Sequence, residues 1–211
     1  RPPRSTQGVS SAASDVYKRQ AYMPSVAPAG STTALFGTNP ISFAWPRPGG
    51  TPIVYDMATA SMAMGDVQIA LRDGRKVPEG TGLNAEGKPS TDPSEIIKGV
   101  LLPFGGYKGS AISLMVELLS AGLTGEQFSY EAKENDNGDG GPPRGGEIIL
   151  SMSPDIIAGP EWQQHVEKFS NKMLDMEGVR LPGARRHKNR LNTGAREIDS
   201  TLIETIRELA D

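Results

Sequence analysis

Apolar and small or polar positions alternate along "NPISFAWP" (39–46), where Ile41, Phe43 and Trp45 stand between two prolines. That two-residue period predicts a strand. "PIVYDMA" (52–58) reads as a second, mostly buried strand, and the "RPGGT" turn (47–51) between them predicts a hairpin. Over "SMAMGDVQIALRDGR" (61–75) the period changes. Met64, Val67 and Ala70 fall at helical spacing, with Gly74 near the end. The polar, turn-rich "PEGTGLNAEGKPSTDP" (78–93) predicts an exposed excursion outside the core. Residues 107–123 predict a helix. Ile112, Met115, Val116, Leu118 and Leu119 make it apolar nearly all round, so it is predicted to be buried.

"ENDNGDGGPPRGG" (134–146) predicts a loop, and "GEIILSMSP" (146–154) a core strand. Pro160 suits the first turn of a helix whose Trp162, Val166, Phe169 and Met173 form one stripe, closed by Gly178. A final helix over 199–210, capped by Asp199 or Ser200, is predicted to bury Leu202, Ile206 and Leu209. There is no internal repeat. Strands stand alone or in hairpins instead of alternating with helices, which points to an α+β class.

Composition narrows the picture. A hydrophobic fraction of 36% with 22% charged residues fits a soluble globular chain of 211 residues. The net charge of −3 argues against nucleic-acid binding. No run approaches the roughly 18 apolar residues of a membrane span. The absence of cysteine excludes disulfides, thiol catalysis and Cys-ligated zinc, and fits the cytoplasm. His165 and His187 are far apart, so no metal site is expected. "RPPRSTQGVSSAASDVYKRQ" (1–20) is basic, Ser-rich and aperiodic, and lacks the apolar core of a secretory signal. It reads as a non-native leader, with a transit peptide as the alternative. On the leader reading, the natural protein begins upstream of Ala21.

"PFGGYKGSA" (103–111) carries the most suggestive chemistry. Glycines let a backbone approach a ligand, N–H groups opening a helix attract anions, and Lys108 adds a positive charge. It is no P-loop, because Lys108 precedes Gly109 and no glycine stands five places before that one. The Rossmann fingerprint G-x-G-x-x-G does not occur either. A plain Gly-rich turn with a solvated lysine remains the alternative from spacing alone.

"LFGTNPISFA" (35–44), "YDMATASMAMGDVQIA" (55–70), "LLPFGGYKGSAISLMVELLSAGLTG" (101–125) and "RLPGARR" (180–186) resemble, in order, the malate/L-lactate dehydrogenase-like family of NAD(P)-dependent oxidoreductases. Within it the chain is most similar to the reductases of delta-1-piperideine-2-carboxylate and delta-1-pyrroline-2-carboxylate. "GDVQIA" carries that distinction, since hydroxy-acid dehydrogenases usually place a basic residue where Asp66 stands. The resemblance implies a non-Rossmann NAD(P)-binding fold with a large, mainly antiparallel sheet flanked by helices, and a homodimer. It divides the chain into an incomplete NAD(P)-binding domain (21–180) and a C-terminal segment (181–211), whose helix returns to an N-terminal domain outside this sequence.

The resemblance also implies site roles. Thr38 matches a substrate contact, with Met64 and Gly65 at neighbouring substrate positions. Related reductases often carry His where Met64 stands. Asp66 matches the catalytic acid of a Ser-His-Asp relay. Tyr55, Asp56 and Met57 match a cofactor-lining stretch, and Tyr107 and Lys108 the pair that touches the cofactor, Tyr107 standing where close relatives have His. Arg180, Leu181, Pro182, Gly183, Ala184, Arg185 and Arg186 match further cofactor contacts. Their arginines suit the extra phosphate of NADPH, with NADH possible. The implied reaction is reduction of a cyclic imino acid to L-pipecolate or L-proline. The histidine and serine of the relay fall in a family segment absent from this sequence, so these residues alone are expected to be inactive. The alternatives are an NAD-dependent malate, lactate or ureidoglycolate dehydrogenase, or a non-catalytic phosphate-binding module.

Overall fold

The computed structural model describes residues 24–47, 50–138, 145–195, 198 and 200–210. The expected leader, Asp199 and residues 139–144 of the expected 134–146 loop lie outside them. Strands β1 (Ile41–Trp45) and β2 (Ile53–Met57) form the expected antiparallel hairpin, with Ile41 opposite Met57 and Trp45 opposite Ile53. Phe43 stacks between Trp45 and Tyr55, at centroid distances of 6.2 and 5.3 Å, so the aromatic alternation becomes a cross-strand cluster.

Helix α1 (Met64–Arg72) follows and buries Val67 and Ala70, as its spacing predicts. The 78–93 stretch departs from expectation. Thr81, Gly82 and Leu83 are buried, and Gly82–Leu83 forms β3, paired antiparallel to β4 (Pro89–Ser90) and β5 (Val100–Leu101). Helix α2 (Pro93–Lys98) starts where the Asp92 carboxylate accepts the Ser94 N–H at 2.8 Å. Its Ile96 lies against Gly82, where a Cβ would come within 2.6 Å of Ile96 Cγ2 and of the Val100 carbonyl. A polar stretch enters the core there because its central residue has no side chain.

Val26 bridges Phe36 on one side and Leu101 on the other, which widens this sheet. Val26, Phe36, Val67, Ala70, Ile96 and Leu101 make the main core. The described strands form two small antiparallel sheets, so the fold is α+β.

Helix α3 (Tyr107–Glu117) runs into a π-helical turn, Leu118–Gly122. It is not buried all round. Gly109, Ser113 and Glu117 face inward, while Leu114, Met115, Leu118 and Leu119 are exposed. Polar partners waiting inside, described below, decide which face turns in. Helix α4 (Ser129–Glu134) completes this part.

The remaining elements are helices α5 (Pro154–Ala158), α6 (Trp162–Leu174), α7 (Ala184–Arg190) and α8 (Ser200–Glu208). The strand expected over 146–154 does not form, and Ile149 and Leu150 stay exposed. A strand needs a neighbour for its backbone hydrogen bonds, and no described strand lies beside this segment. On α6, Trp162 is buried edge-on against Trp45 at 5.7 Å, but Phe169 of the same expected stripe is exposed. On α8 and just after it, Leu202, Ile206 and Leu209 are all exposed instead of buried. No described helix is long and apolar enough to cross a membrane.

Candidate active site

Three of the singled-out stretches meet at one threonine. Thr59 follows β2 and has no exposed surface. Its N–H and Oγ1 donate to the Thr38 carbonyl at 2.8 and 3.0 Å, and its own carbonyl accepts the Phe104 N–H at 3.0 Å. Ala60 bridges Pro103, and the Ser61 N–H donates to the Leu102 carbonyl at 2.8 Å. The Thr38 turn and the "PFGGYKG" loop are thereby fastened to the same short segment.

A second connection runs through Asn39. This residue is buried and has a φ of 41°, in the left-handed region. Its Nδ2 donates to the Ser113 carbonyl at 3.1 Å, to Ser113 Oγ at 3.0 Å and to Glu117 Oε1 at 2.9 Å. Glu117 also accepts the Ser129 N–H at 3.1 Å, and its Oε1 accepts the Ser129 hydroxyl. Buried polar groups are tolerated only when paired in this way. These partners explain why α3 turns its polar face inward.

Gly105 and Gly106 have φ of 57° and 62°, and nothing would meet a Cβ at either. They serve the turn conformation. Gly109 is needed for space, since a Cβ there would lie 2.0 Å from the Phe104 carbonyl oxygen. Ser110 Oγ accepts the Ala29 N–H at 3.1 Å. Tyr107 and Lys108 are exposed at the opening of α3, where they can reach a ligand.

The "RLPG" segment lies along β2. The Val54 N–H donates to the Pro182 carbonyl at 3.2 Å, Leu181 is buried, and His187 Nε2 sits 3.0 Å from the Pro52 carbonyl. Gly183 has a φ of 85°, and a Cβ there would come 2.8 Å from the Val54 carbonyl oxygen. This approach sets α7 beside the strand that carries Tyr55, Asp56 and Met57. Arg185, Arg186, Asn189 and Arg190 line an open cleft of about 420 Å³. A cleft walled by three guanidinium groups suits a phosphate, which guanidinium binds through paired hydrogen bonds. Arg180, Pro182 and Ala184 are exposed.

The other expected site residues are placed less closely. Tyr55 and Asp56 are half-buried and Met57 is exposed. Met64 packs against the main core, whereas Gly65 and Asp66 are exposed at the first turn of α1. Asn39, Thr59, Ser113 and Glu117 were not singled out by sequence reasoning. The available signal was polar residues inside apolar runs, with Gly109, Ser113 and Glu117 recurring every fourth residue on one helical face.

Comparison with known proteins gives a consistent answer. A family described as malate/L-lactate dehydrogenase matches residues 17–207. The chain is 42% identical over 196 residues to Delta(1)-pyrroline-2-carboxylate reductase from Ancylobacter novellus, covering 87% of this chain and 55% of that protein. It is 40% identical over 186 residues to (2R)-3-sulfolactate dehydrogenase (NADP(+)) from Chromohalobacter salexigens, covering 88% and 56%. Among solved structures, delta1-piperideine-2-carboxylate reductase from Pseudomonas syringae pv. tomato superposes with a TM-score of 0.79 at 44% identity, covering 89% and 57%. The chain thus spans about half the length of these relatives. The matching stretches include the Thr38 turn, the Thr59 segment, the α3 loop and the α7 arginines: the chain belongs to the malate/L-lactate dehydrogenase family.

Proposed function

We propose that the protein reduces a cyclic imino acid, delta-1-piperideine-2-carboxylate or delta-1-pyrroline-2-carboxylate, at the expense of NADPH. The observation that carries this is the junction at Thr59, which holds the expected substrate turn and the expected cofactor loop on one buried segment. The names of the relatives from Ancylobacter novellus and Pseudomonas syringae give the substrate class.

NADPH, when bound, would supply a hydride to the imine carbon; the residues of this chain would bind and orient the two reactants and hold the proton-delivering group. The Thr38 hydroxyl holds the substrate carboxylate, with Met64 and Gly65 beside it. The C=N π pair moves to nitrogen, which takes a proton as the new C–H bond forms. Asp66 holds the imidazole that delivers this proton, fixing its tautomer and stabilising its cationic form. The serine and histidine of that relay belong to the family segment that precedes these residues. Tyr55, Asp56, Met57, Tyr107 and Lys108 line the cofactor. Leu181, Pro182 and Gly183 bring α7 alongside, and Arg185 and Arg186, with Arg180 and Ala184 nearby, take the additional phosphate that separates NADPH from NADH. On this reading the whole protein builds the large non-Rossmann sheet, with residues 21–180 in its NAD(P)-binding domain and 181–211 returning to the N-terminal domain. It acts as a cytoplasmic homodimer.

A second reading rests on the (2R)-3-sulfolactate dehydrogenase relative, which makes a 2-hydroxy acid the substrate instead. Asp66, in place of a basic residue, favours the imine. The test is steady-state kinetics on the whole protein with the cyclic imine against sulfolactate and malate. Lys108→Ala should raise the apparent KM for NADPH about tenfold, the usual size of a lost charge-assisted hydrogen bond. Undetectable NADPH binding in a fluorescence titration would sink the oxidoreductase reading, and an unchanged KM in the variant would leave the loop as a turn only.

A further inference from the structure

We infer that Asn39 and Thr59 are positioning residues, which clamp the Thr38 turn from two sides so that the substrate contact and the cofactor loop are set as one unit. The inference rests on the imine-reduction reading for the identity of those two parts. Its geometry stands on its own.

One jaw is Thr59. It grips the Thr38 carbonyl with both its N–H and its hydroxyl, and takes the Phe104 N–H on its own carbonyl. Phe104 directly precedes Gly105, so this jaw reaches the base of the loop that presents Tyr107 and Lys108. The other jaw is Asn39. Among the described residues it is the one non-glycine residue with a positive φ. Asparagine tolerates that conformation better than most residues, yet it persists only where the surroundings hold it. They do so through the side-chain amide, whose hydrogens are shared among the Ser113 carbonyl, the Ser113 hydroxyl and the Glu117 carboxylate. Ser113 and Glu117 belong to the helix that opens at Tyr107, on the face that also carries Gly109.

The loop is therefore tied to the Thr38–Asn39 turn at its base through Thr59 and along its helix through Asn39. Moving Thr38 relative to Lys108 requires breaking a buried hydrogen bond on at least one path. Glu117 is anchored in turn by Ser129, so α3 cannot yield by turning its carboxylate elsewhere without leaving the Ser129 N–H unpaired.

Steady-state kinetics of Asn39→Asp on the whole protein tests this. Aspartate keeps the tolerance for a left-handed backbone, loses the donor and faces the Glu117 carboxylate. The expected result is a rise of about tenfold in KM for both the imine and NADPH. The double variant Asn39→Asp/Glu117→Gln reverses donor and acceptor in the Asn39–Glu117 pair but leaves the Ser113 carbonyl facing an acceptor, so both constants should return part of the way toward the parent. Folded Asn39→Asp protein with unchanged constants overturns the clamp, as does a folded double variant that shows no rescue. Should Asn39→Asp fail to fold, the double variant and Thr59→Val decide. Thr59→Val keeps the shape and the N–H but loses the hydroxyl bond, and is expected to raise KM for the imine several-fold; an unchanged value removes Thr59 from the clamp. Should the parent neither reduce the imine nor bind NADPH, the functional reading falls and amide hydrogen exchange judges the clamp alone. Faster exchange over 104–110 in Asn39→Asp supports it, and unchanged exchange overturns it.

Discussion

In residues 24–101, Val26, Phe36, Val67, Ile96 and Leu101 pack on one another with at most 6% of their surface exposed. In residues 145–210, Ile149, Leu150, Ile156, Leu191 and Leu209 leave between 69% and 87% exposed. The two regions carry similar side chains with similar periodicity, and they differ in what lies across from them. The first contains its own partners, since Gly82 admits Ile96 and Leu101 meets Val26. The second is held chiefly by its contacts with the β1–β2 hairpin, while Gly146 lies against Ser120. Trp162 lies on Trp45, Glu167 pairs with Arg47, Pro182 accepts from Val54, and His187 contacts Pro52. An apolar stripe states which face of an element will be buried when a surface arrives. It does not state which surface.

The largest effect that would separate the regions is expected at Ile96. It is fully buried, so Ile96→Ala should cost about 2–5 kcal/mol, through lost apolar burial and the cavity left behind. Urea unfolding of these 211 residues measures it, and a cost below about 1 kcal/mol would mean the first region is no better packed than the second.

A smaller effect belongs to the link between them. Arg47 Nε and Nη2 donate to the two Glu167 carboxylate oxygens at 2.6 and 2.7 Å. These hydrogen bonds hold the Glu167 carboxyl below its ordinary range, with the attraction of the Arg47 charge adding to them. A carboxyl lowered in the folded state contributes stability above its unfolded value, near about 4.3, and loses it as pH falls through the folded value. The melting temperature of the parent should thus exceed that of Glu167→Gln at neutral pH, and the gap should close as pH falls through the lowered folded value. A gap that stays constant as pH falls would show that the pair does not fasten α6 to the hairpin. Added salt should narrow the gap, because the pair is partly exposed.

The smallest effect is expected at α8. Ile206 is 56% exposed, so Ile206→Ser should change the stability of these 211 residues by no more than about 0.5 kcal/mol, again by urea unfolding. A cost approaching that of Ile96→Ala would place α8 in a packed core and erase the contrast.

The elements most legible in the sequence were those whose partners are near in the chain. The β1–β2 hairpin followed from alternation over 39–46 and an apolar run over 52–58 on either side of a Pro-Gly turn, although only Val54 of β2 is buried, and α1 followed from its Met64–Val67–Ala70 spacing. The α3 helix was legible as a helix, but its orientation was not. Its apolar residues outnumber its polar ones, so the pattern pointed to a helix buried all round; the buried amide of Asn39, 74 residues earlier than Ser113, draws the polar face inward instead. The polar 78–93 stretch read as solvent-exposed because nothing local shows that Gly82 fits under Ile96. The stretches that make up the candidate site were visible by resemblance, yet Thr59 and Asn39, which hold them together, were not.

By itself the sequence determined the local grammar: which segments favour helix or hairpin, where glycine permits a positive φ, and that neither a P-loop nor a Rossmann fingerprint is present. These depend on backbone sterics and short-range spacing, which a few neighbouring residues settle. Only the tertiary structure decided that the Thr38 turn, Thr59 and the "PFGGYKG" loop share one buried junction, that α7 starts beside β2, and that residues 146–154 meet no strand among the described residues. Those outcomes depend on hydrogen bonds and packing between residues far apart in the chain, where a donor counts only once its acceptor has been brought within about 3 Å.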